Sequence, residues 1–204
     1  KHIDLVDRRL LKGEKIPHEE KVFSLFEPHT ELIKKGKVRP PVEFGHRLMV
    51  TTNEQGLVVD YKVMEGGNEA AEIVPLIERL EVRFGEQSID SLSSDKGFSS
   101  QENRIKLEGK VRMVVLPKKG KRTKEERERE EEAEWKELRE KHSAVESDIN
   151  SLEHHGLSRC ADKGYGGYTR YIGFGVLSMN LHRIGKYMLS TKKAQASPRR
   201  RKAA

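Results

Sequence analysis

The sequence has a single cysteine, Cys160, and aromatic residues make up only 6% of its 204 positions. One cysteine excludes an internal disulfide framework and a zinc site built from several thiolates, and it suits a reducing cytosol. No apolar run approaches the roughly 20 residues that a membrane-spanning helix needs, and no charged-then-apolar secretory leader stands at the front. We therefore expect an intracellular chain without a membrane partner.

Hydrophobic residues are also scarce, at 34% of the chain against 36% charged residues. Typical values are about 45–50% and about 25%, so part of the chain must lie outside a packed core. The net charge of +7 favours a polyanionic partner but does not identify one. Six of the seven excess charges fall in residues 191–204, which contain no acid, so the rest of the chain is nearly neutral.

Changes in composition divide the chain into five segments. Residues 1–40 are a polar lead-in that ends at a proline pair, where backbone hydrogen bonding is interrupted. Residues 41–117 alternate strand and helix patterns and predict a mixed α/β core: a hairpin, an amphipathic helix, a strand, a short helix and a buried strand. The hairpin turn is predicted at residues 53–56, and Asn68 is the predicted N-cap of the amphipathic helix, whose apolar face is Ile73, Leu76, Ile77 and Leu80. Residues 118–142 are a charged helical insertion, residues 143–190 are the C-terminal helices, and residues 191–204 are a basic, disordered tail. The insertion is predicted to be one solvated helix with a capping box at Thr123 and Glu126.

Two carboxylates stand where site residues are often found. Asp95 follows a short strand and precedes a glycine-containing turn, the position at which open α/β sheets place ligand groups, although it could simply cap the helix that begins near Ser99. Val145, Ile149 and Leu152 are predicted to form the buried face of one helix, and Glu146 lies at the edge of that face. Its spacing from Ser143 also fits a capping box. For each residue, a role in a ligand site and a role in capping a helix are compatible.

The chain resembles bacterial insertion-sequence transposases of the DDE class. The residues that carry the resemblance occur in order over about 185 positions. They are the segments 13–31, 41–46, 94–98, 145–157 and 170–181.

The resemblance implies an RNase H-like, retroviral-integrase-like α/β fold with a mixed sheet and flanking helices. It implies that Asp95 and Glu146 are the second and third acids of a triad that holds two Mg²⁺ or Mn²⁺ ions for DNA strand cleavage and strand transfer. DNA, as transposon ends and target, is the implied partner, with a possible homodimer and a bacterial, nucleoid-associated location in the cytoplasm. Hard oxygen ligands and paired divalent ions suit this chemistry.

The first acid of the triad is the main departure from the family. Its strand lies upstream of the segment at 13–31 in the family, and residues 1–40 do not match it. Asp4 alternates with Ile3 and Leu5 and is a rival, but the pattern that follows favours a helix end. We therefore expect a C-terminal fragment that lacks the central strand of the sheet, and that is inactive and poorly folded alone.

Basic residues close to the two acids in sequence are candidate DNA contacts, although a solvated face is the commoner explanation for such charges. They are Lys96, Lys118, Lys119, Lys121, Arg122 and Arg159. Two alternatives differ from a transposase in function. One is a non-enzymatic nucleic-acid-binding or scaffold relic of a transposase, and the other is a nuclease of the same fold.

Overall fold

The computed structural model of the chain describes residues 1–34, 41–118 and 120–196, and shows a mixed α/β structure. Its strands are β1 Glu31–Lys34, β2 Val42–Gly45, β3 Arg47–Thr52, β4 Val58–Met64, β5 Ser91–Ser93 and β6 Met113–Val115. Its α-helices are α1 His2–Val6, α2 Ile73–Phe84, α3 Gln101–Leu107, α4 Lys124–Glu131, α5 Ala133–Lys141, α6 Ala144–Leu152 and α7 Gly164–Ala196.

The described strands form three separate pairs. β1 and β2 are antiparallel, β3 and β4 are antiparallel, and β5 and β6 are parallel. The hairpin β3–β4 was predicted from its turn and is confirmed. Asn53 starts the turn by accepting hydrogen bonds from the backbone N–H groups of Gln55 and Leu57, and Gly56 supplies the positive φ of 74° that closes it.

Helix α2 packs the main core against the hairpin and the parallel pair. Its apolar positions Ile73, Leu76, Ile77 and Leu80 recur at helical spacing, and all four are buried. They meet Met49 and Met64 of the hairpin and Leu92 of β5 in one cluster. The predicted cap at Asn68 is not formed, because a 3₁₀ turn at Glu69–Glu72 precedes the helix and Asn68 makes no capping hydrogen bond.

The charged insertion forms two helices, α4 and α5, where a single solvated helix was predicted. The expected capping box at Thr123 and Glu126 is present at the start of α4. Glu132 interrupts the helix with a ψ of 137°. Because Trp135 is then buried against the body of the protein, α5 is a docked helix and α4 remains the solvated one.

A second core cluster joins α6 and α7 to the hairpin through Leu152, Ile172, Val176, Met179 and Val58. The sequence placed Val145, Ile149 and Leu152 on the buried face of α6, and for Ile149 that prediction is wrong. Ile149 is 48% exposed, and Asp148 takes its place in the interior. Burial of this acid is possible because Arg183 of α7 lies 2.5 Å from its carboxylate.

The N-terminal lead-in is more ordered than its composition suggested. Asp4 lies in helix α1, so its place on a strand, the rival interpretation, is excluded. Arg8 ties this region together through ion pairs with Glu14 and Glu20, and β1 pairs with β2 across the expected boundary at residue 41. The predicted break at Pro40 lies outside the described residues.

Helix α7 continues to Ala196, six residues into the segment interpreted as a tail, and residues 197–204 lie outside the described part of the chain. Within the three described ranges, none of the helices combines the length and apolar character required to cross a membrane.

Candidate functional site

Asp95 lies at the carboxyl end of the parallel pair β5–β6. Leu92 in the middle of β5 is buried, and the N–H of Ser94 donates to the Val115 carbonyl at 3.1 Å, which extends the pairing to the residue before Asp95. The backbone then turns through a 3₁₀ segment at Lys96–Phe98. The carboxylate therefore projects from the end of a strand whose position is fixed by its pairing with β6.

Capping does not explain Asp95. Its side chain makes no capping hydrogen bond, and helix α3 is capped by Ser100, whose hydroxyl accepts from the Asn103 N–H at 3.0 Å. The Asp95 side chain is 73% exposed. The simpler of the two interpretations made from sequence is therefore wrong, and the carboxylate is accessible to a ligand.

The turn after Asp95 has Gly97 at its centre, where any side chain would displace the flexible end of Glu69. A Cβ atom at Gly97 would collide with the carboxylate of Glu69, which crosses directly over the turn. Glu69 also lies 3.7 Å from the guanidinium of Arg47 on β3. The absence of a side chain at Gly97 thus lets the segment after β4 pack closely against the turn that follows Asp95.

Glu146 lies in the first turn of α6 and is exposed. The predicted capping box with Ser143 is not formed, since the Ser143 hydroxyl instead donates to the Glu140 carbonyl at 2.7 Å. This carboxylate is also free of a capping role, and it stands at the junction where α5 gives way to α6.

The structure brings that junction to Asp95. Nε2 of His142, the residue that ends α5, lies 3.2 Å from Oδ1 of Asp95. His142 precedes Glu146 by four residues, and the intervening backbone is helical, so the two side chains are about one turn apart. The start of α6 and the end of β5 therefore form one edge of the molecule, and both predicted acids lie along it.

Helix α5 is the part of this arrangement that sequence reasoning did not place. Arg112, which immediately precedes β6, bonds to Asp90 at 2.7 Å and to Glu134 of α5 at 2.6 Å, and Trp135, the next residue of α5, is buried. Arg139 of the same helix donates to the Ser94 carbonyl at 3.3 Å. The one tryptophan within a run of charges was the available signal that this helix is anchored.

The predicted DNA-contact residues that the structure describes fall into two groups. Lys118 is bonded to Glu126 at 3.0 Å and Arg122 to Glu130 at 2.8 Å, so these cations are already neutralised. In the residues that the structure describes, the exposed side chains of Lys96, Lys121 and Arg159 form no ion pair. Lys119 lies outside the described residues.

Asp95 and Glu146 are two carboxylates and do not by themselves make a metal-binding group. Two exposed carboxylates offer the oxygen ligands that Mg²⁺ and Mn²⁺ prefer. Across residues 1–34, 41–118 and 120–196, however, no three His, Cys, Asp or Glu side chains converge as a metal-binding group would. His142 contacts one oxygen of Asp95 through a ring nitrogen, and it has no oxygen atom in its side chain to offer a metal ion.

Comparison of the chain with protein-family models, with curated proteins and with solved structures gives no match. The geometry at the end of β5 and the resemblance of the sequence are therefore the two grounds for a function.

Proposed function

We propose that the chain belongs to the catalytic domain of a DDE-class transposase, with Asp95 and Glu146 as two of its metal-binding acids. The observation that carries the proposal is the contact between His142 and Asp95, which draws the first turn of α6 to the carboxyl end of β5. Asp95 and Glu146 are 51 positions apart in sequence, and the insertion between them is folded so that both lie at one edge.

The order of strands supports the same proposal. An antiparallel hairpin, a helix and then two parallel strands are the elements expected of an RNase H-like sheet, and β3–β4, α2 and β5–β6 follow that order. The hairpin and the parallel pair are not hydrogen-bonded to each other among the described strands. A further strand between them, carrying the first acid, would join the pairs into one sheet and complete the ligand set.

In such a site, paired divalent ions would activate a water or a 3′-hydroxyl and neutralise the departing oxygen. The residues of this chain have other tasks. Asp95 and Glu146 hold negative charge at an exposed edge, and β5 with its hydrogen bond from Ser94 fixes the position of the first of them. Arg139 places a guanidinium beside the same strand end, where a DNA phosphate could pair with it.

The proposed DNA contacts are Lys96, Lys121 and Arg159, because their charges are not neutralised within the described part of the protein. Lys121 also lines an open polar depression whose other charged residues are Arg122, Arg127, Glu130 and Glu131. Contacts of this kind bind phosphates without reading sequence, and their contribution falls as salt concentration rises. Neutralising Lys96 should therefore weaken DNA binding at low salt more than at high salt.

The proposal is tested with the full-length protein encoded by the reading frame that contains this chain. The substrate is the DNA that flanks the frame, and the assay follows nicking and strand transfer in Mg²⁺ and in Mn²⁺. The wild-type protein should cleave and join strands, whereas Asp95→Asn and Glu146→Gln should bind the same DNA and leave it uncut. Glu153→Gln, an exposed acid at the far end of α6, is the matched control and should retain activity.

Each other outcome contradicts a defined part of the proposal. Cleavage that survives in either acid variant would show that these carboxylates are not metal ligands. Wild-type protein that binds DNA but never cuts it would favour the non-enzymatic nucleic-acid-binding alternative. Hydrolysis without strand transfer would favour a nuclease.

A further inference from the structure

Two histidines from distant parts of the chain meet away from the candidate acids. Nδ1 of His29 lies 2.8 Å from Nε2 of His46, and the ring planes differ by 14°. The ring centroids are 5.1 Å apart. This equals the nitrogen–nitrogen distance plus the distance from each centroid to its own nitrogen, so the centroids and the two nitrogens lie nearly on one line. The rings therefore lie edge to edge in nearly one plane, which is the geometry of an N–H···N hydrogen bond and not of face-to-face stacking.

The two outer nitrogens of the pair each face a carboxylate. Nε2 of His29 lies 2.9 Å from Glu27, and Nδ1 of His46 lies 3.5 Å from Glu31. The His46 side chain is only 4% exposed, and its Nδ1 makes no hydrogen bond. At 3.5 Å the Glu31 carboxylate is too far for a strong hydrogen bond but close enough to attract a proton on that nitrogen.

We propose that His29 and His46 share a single extra proton, so that the pair carries one positive charge between Glu27 and Glu31. Three protons on the four ring nitrogens satisfy the whole arrangement: one toward each carboxylate and one between the rings. With only two protons on the four nitrogens, either an unprotonated nitrogen faces a carboxylate or the two inner nitrogens face each other with no proton between them. With four, two N–H groups oppose each other across 2.8 Å. We call the four side chains the His–His clamp.

The surroundings of the His–His clamp favour a cation. Besides its own Glu27 and Glu31, the clamp has Glu65 nearby, which accepts a hydrogen bond from the hydroxyl of Tyr165 at 3.1 Å. The rings of Tyr165 and Tyr168 pack against both histidines at 5.3–6.2 Å. Burial raises the pKa of both tyrosines, so both phenols stay neutral when the histidines titrate.

The His–His clamp joins three separate segments. Glu27 also accepts the Gly164 N–H at 2.9 Å at the start of α7, and Glu31 lies on β1 within 3.4 Å of the Gly66 N–H. His46 immediately precedes β3. The shared proton therefore holds the N-terminal region against α7 and the hairpin, and the attachment depends on pH.

The sign of that dependence follows from proton counts. Two histidines in an unfolded chain, with an ordinary pKa of about 6.5, together bind more than one proton below that pH and fewer above it. Stability rises with pH where the unfolded state binds more protons and falls where it binds fewer. A clamp that holds one proton therefore contributes most near pH 6.5 and loses strength in both directions.

The test combines spectroscopy on the unaltered chain with a double-mutant cycle. Long-range ¹H–¹⁵N spectra of histidine-labelled protein are recorded from about pH 5 to about pH 8.5. Near pH 6.5 they should show that the two rings together carry one positive charge, shared between them. The cycle uses His29→Gln, His46→Gln and the double variant in denaturant unfolding. We expect a coupling of about tenfold in the unfolding constant near pH 6.5, and a smaller one at about pH 5 and about pH 8.5.

His154→Gln removes an exposed histidine and should leave the bell-shaped pH dependence unchanged. Two independently titrating neutral rings, or a coupling that does not vary with pH, would overturn the proposal. The spectroscopic arm needs no variant, so a substitution that prevents folding does not remove the test. The inference is independent of the transposase proposal, because none of its residues lies in the candidate site.

Discussion

Two regions of this protein use acidic residues in opposite ways. In the framework, Asp60 and Asp148 are almost completely buried, and arginines neutralise both: Arg79 at 2.8 Å for the first and Arg183 at 2.5 Å for the second. At the edge formed by β5 and α6, Asp95 and Glu146 are exposed, and the described partner of Asp95 is a histidine. A buried carboxylate needs a cation to be tolerated, whereas an exposed one can hold its charge for a ligand.

The largest loss in the free energy of unfolding is expected when the cation that neutralises a buried acid is removed. Arg183→Met leaves Asp148 buried without its partner and also removes the hydrogen bond to the Gly56 carbonyl. We expect a loss of about 3 kcal/mol in the free energy of unfolding, measured by urea denaturation. The double variant Arg183→Met/Asp148→Leu should recover most of the loss, since no buried charge remains. Equal destabilisation in both variants would show that the Gly56 contact, and not the charge, matters.

The same change at Asp60 should cost less. Arg79→Met removes the cation nearest to that carboxylate, but Arg83 remains 3.4 Å away on the other oxygen. We expect a loss of about 1.5 kcal/mol by the same measurement. Arg83→Met, the matched control, should cost less again, because Arg83 is half exposed and more distant. The reverse ranking would contradict the assignment of Arg79 as the principal partner.

Glu126 shares one property with each group of acids: it is paired with a cation, as the framework acids are, but it lies on the solvated helix α4. The Thr123 N–H and the Lys118 ammonium lower its pKa to about 2, from an ordinary 4.5. A lowered pKa contributes stability above the ordinary value, and that contribution is lost as the pH falls from 4.5 toward 2. The amide signals of Thr123 and Glu126 should therefore change over this range while those of α2 do not.

Glu126→Gln removes this titration and should abolish the change at Thr123. If the Thr123 signal still moves between pH 4.5 and about 2 in the variant, another acid controls the start of α4.

The smallest effect is expected at the candidate site itself. Asp95→Asn and Glu146→Gln remove exposed charges, and the Asn side chain keeps the oxygen that His142 contacts, so each should change the free energy of unfolding by less than about 0.5 kcal/mol. Denaturant titration beside wild type measures this directly. A loss comparable to that of Arg183→Met would place these acids in the framework and remove the contrast.

Local patterns were enough to predict the parts of the fold whose causes are local. The turn from Asn53 to Gly56, the buried face of α2 and the capping box at Thr123 depend on residues a few positions apart, and the structure has all three. Asp95 at a strand end was also predicted correctly, because a strand followed by a glycine turn is a local signal.

Features that depend on distant partners were not predicted. Asp148 is buried in place of Ile149 because of Arg183, 35 residues later, and periodicity alone cannot supply that partner. The docking of α5 depends on Arg112, the residue before β6, and the pairing of His29 with His46 depends on how the N-terminal region meets α7. For the candidate site, the sequence supplied the two acids, and the contact through His142 came from the fold.

We propose that Asp95 and Glu146 lie at one edge and can share a divalent ion. Mn²⁺ titrated into ¹⁵N-labelled protein tests it directly, because a bound paramagnetic ion broadens the amide signals near it. We predict selective broadening of residues 93–98 and 143–149 in the wild type and its loss in Asp95→Asn. Broadening confined to the glutamate-rich helix α4, or unchanged in Asp95→Asn, would contradict the claim.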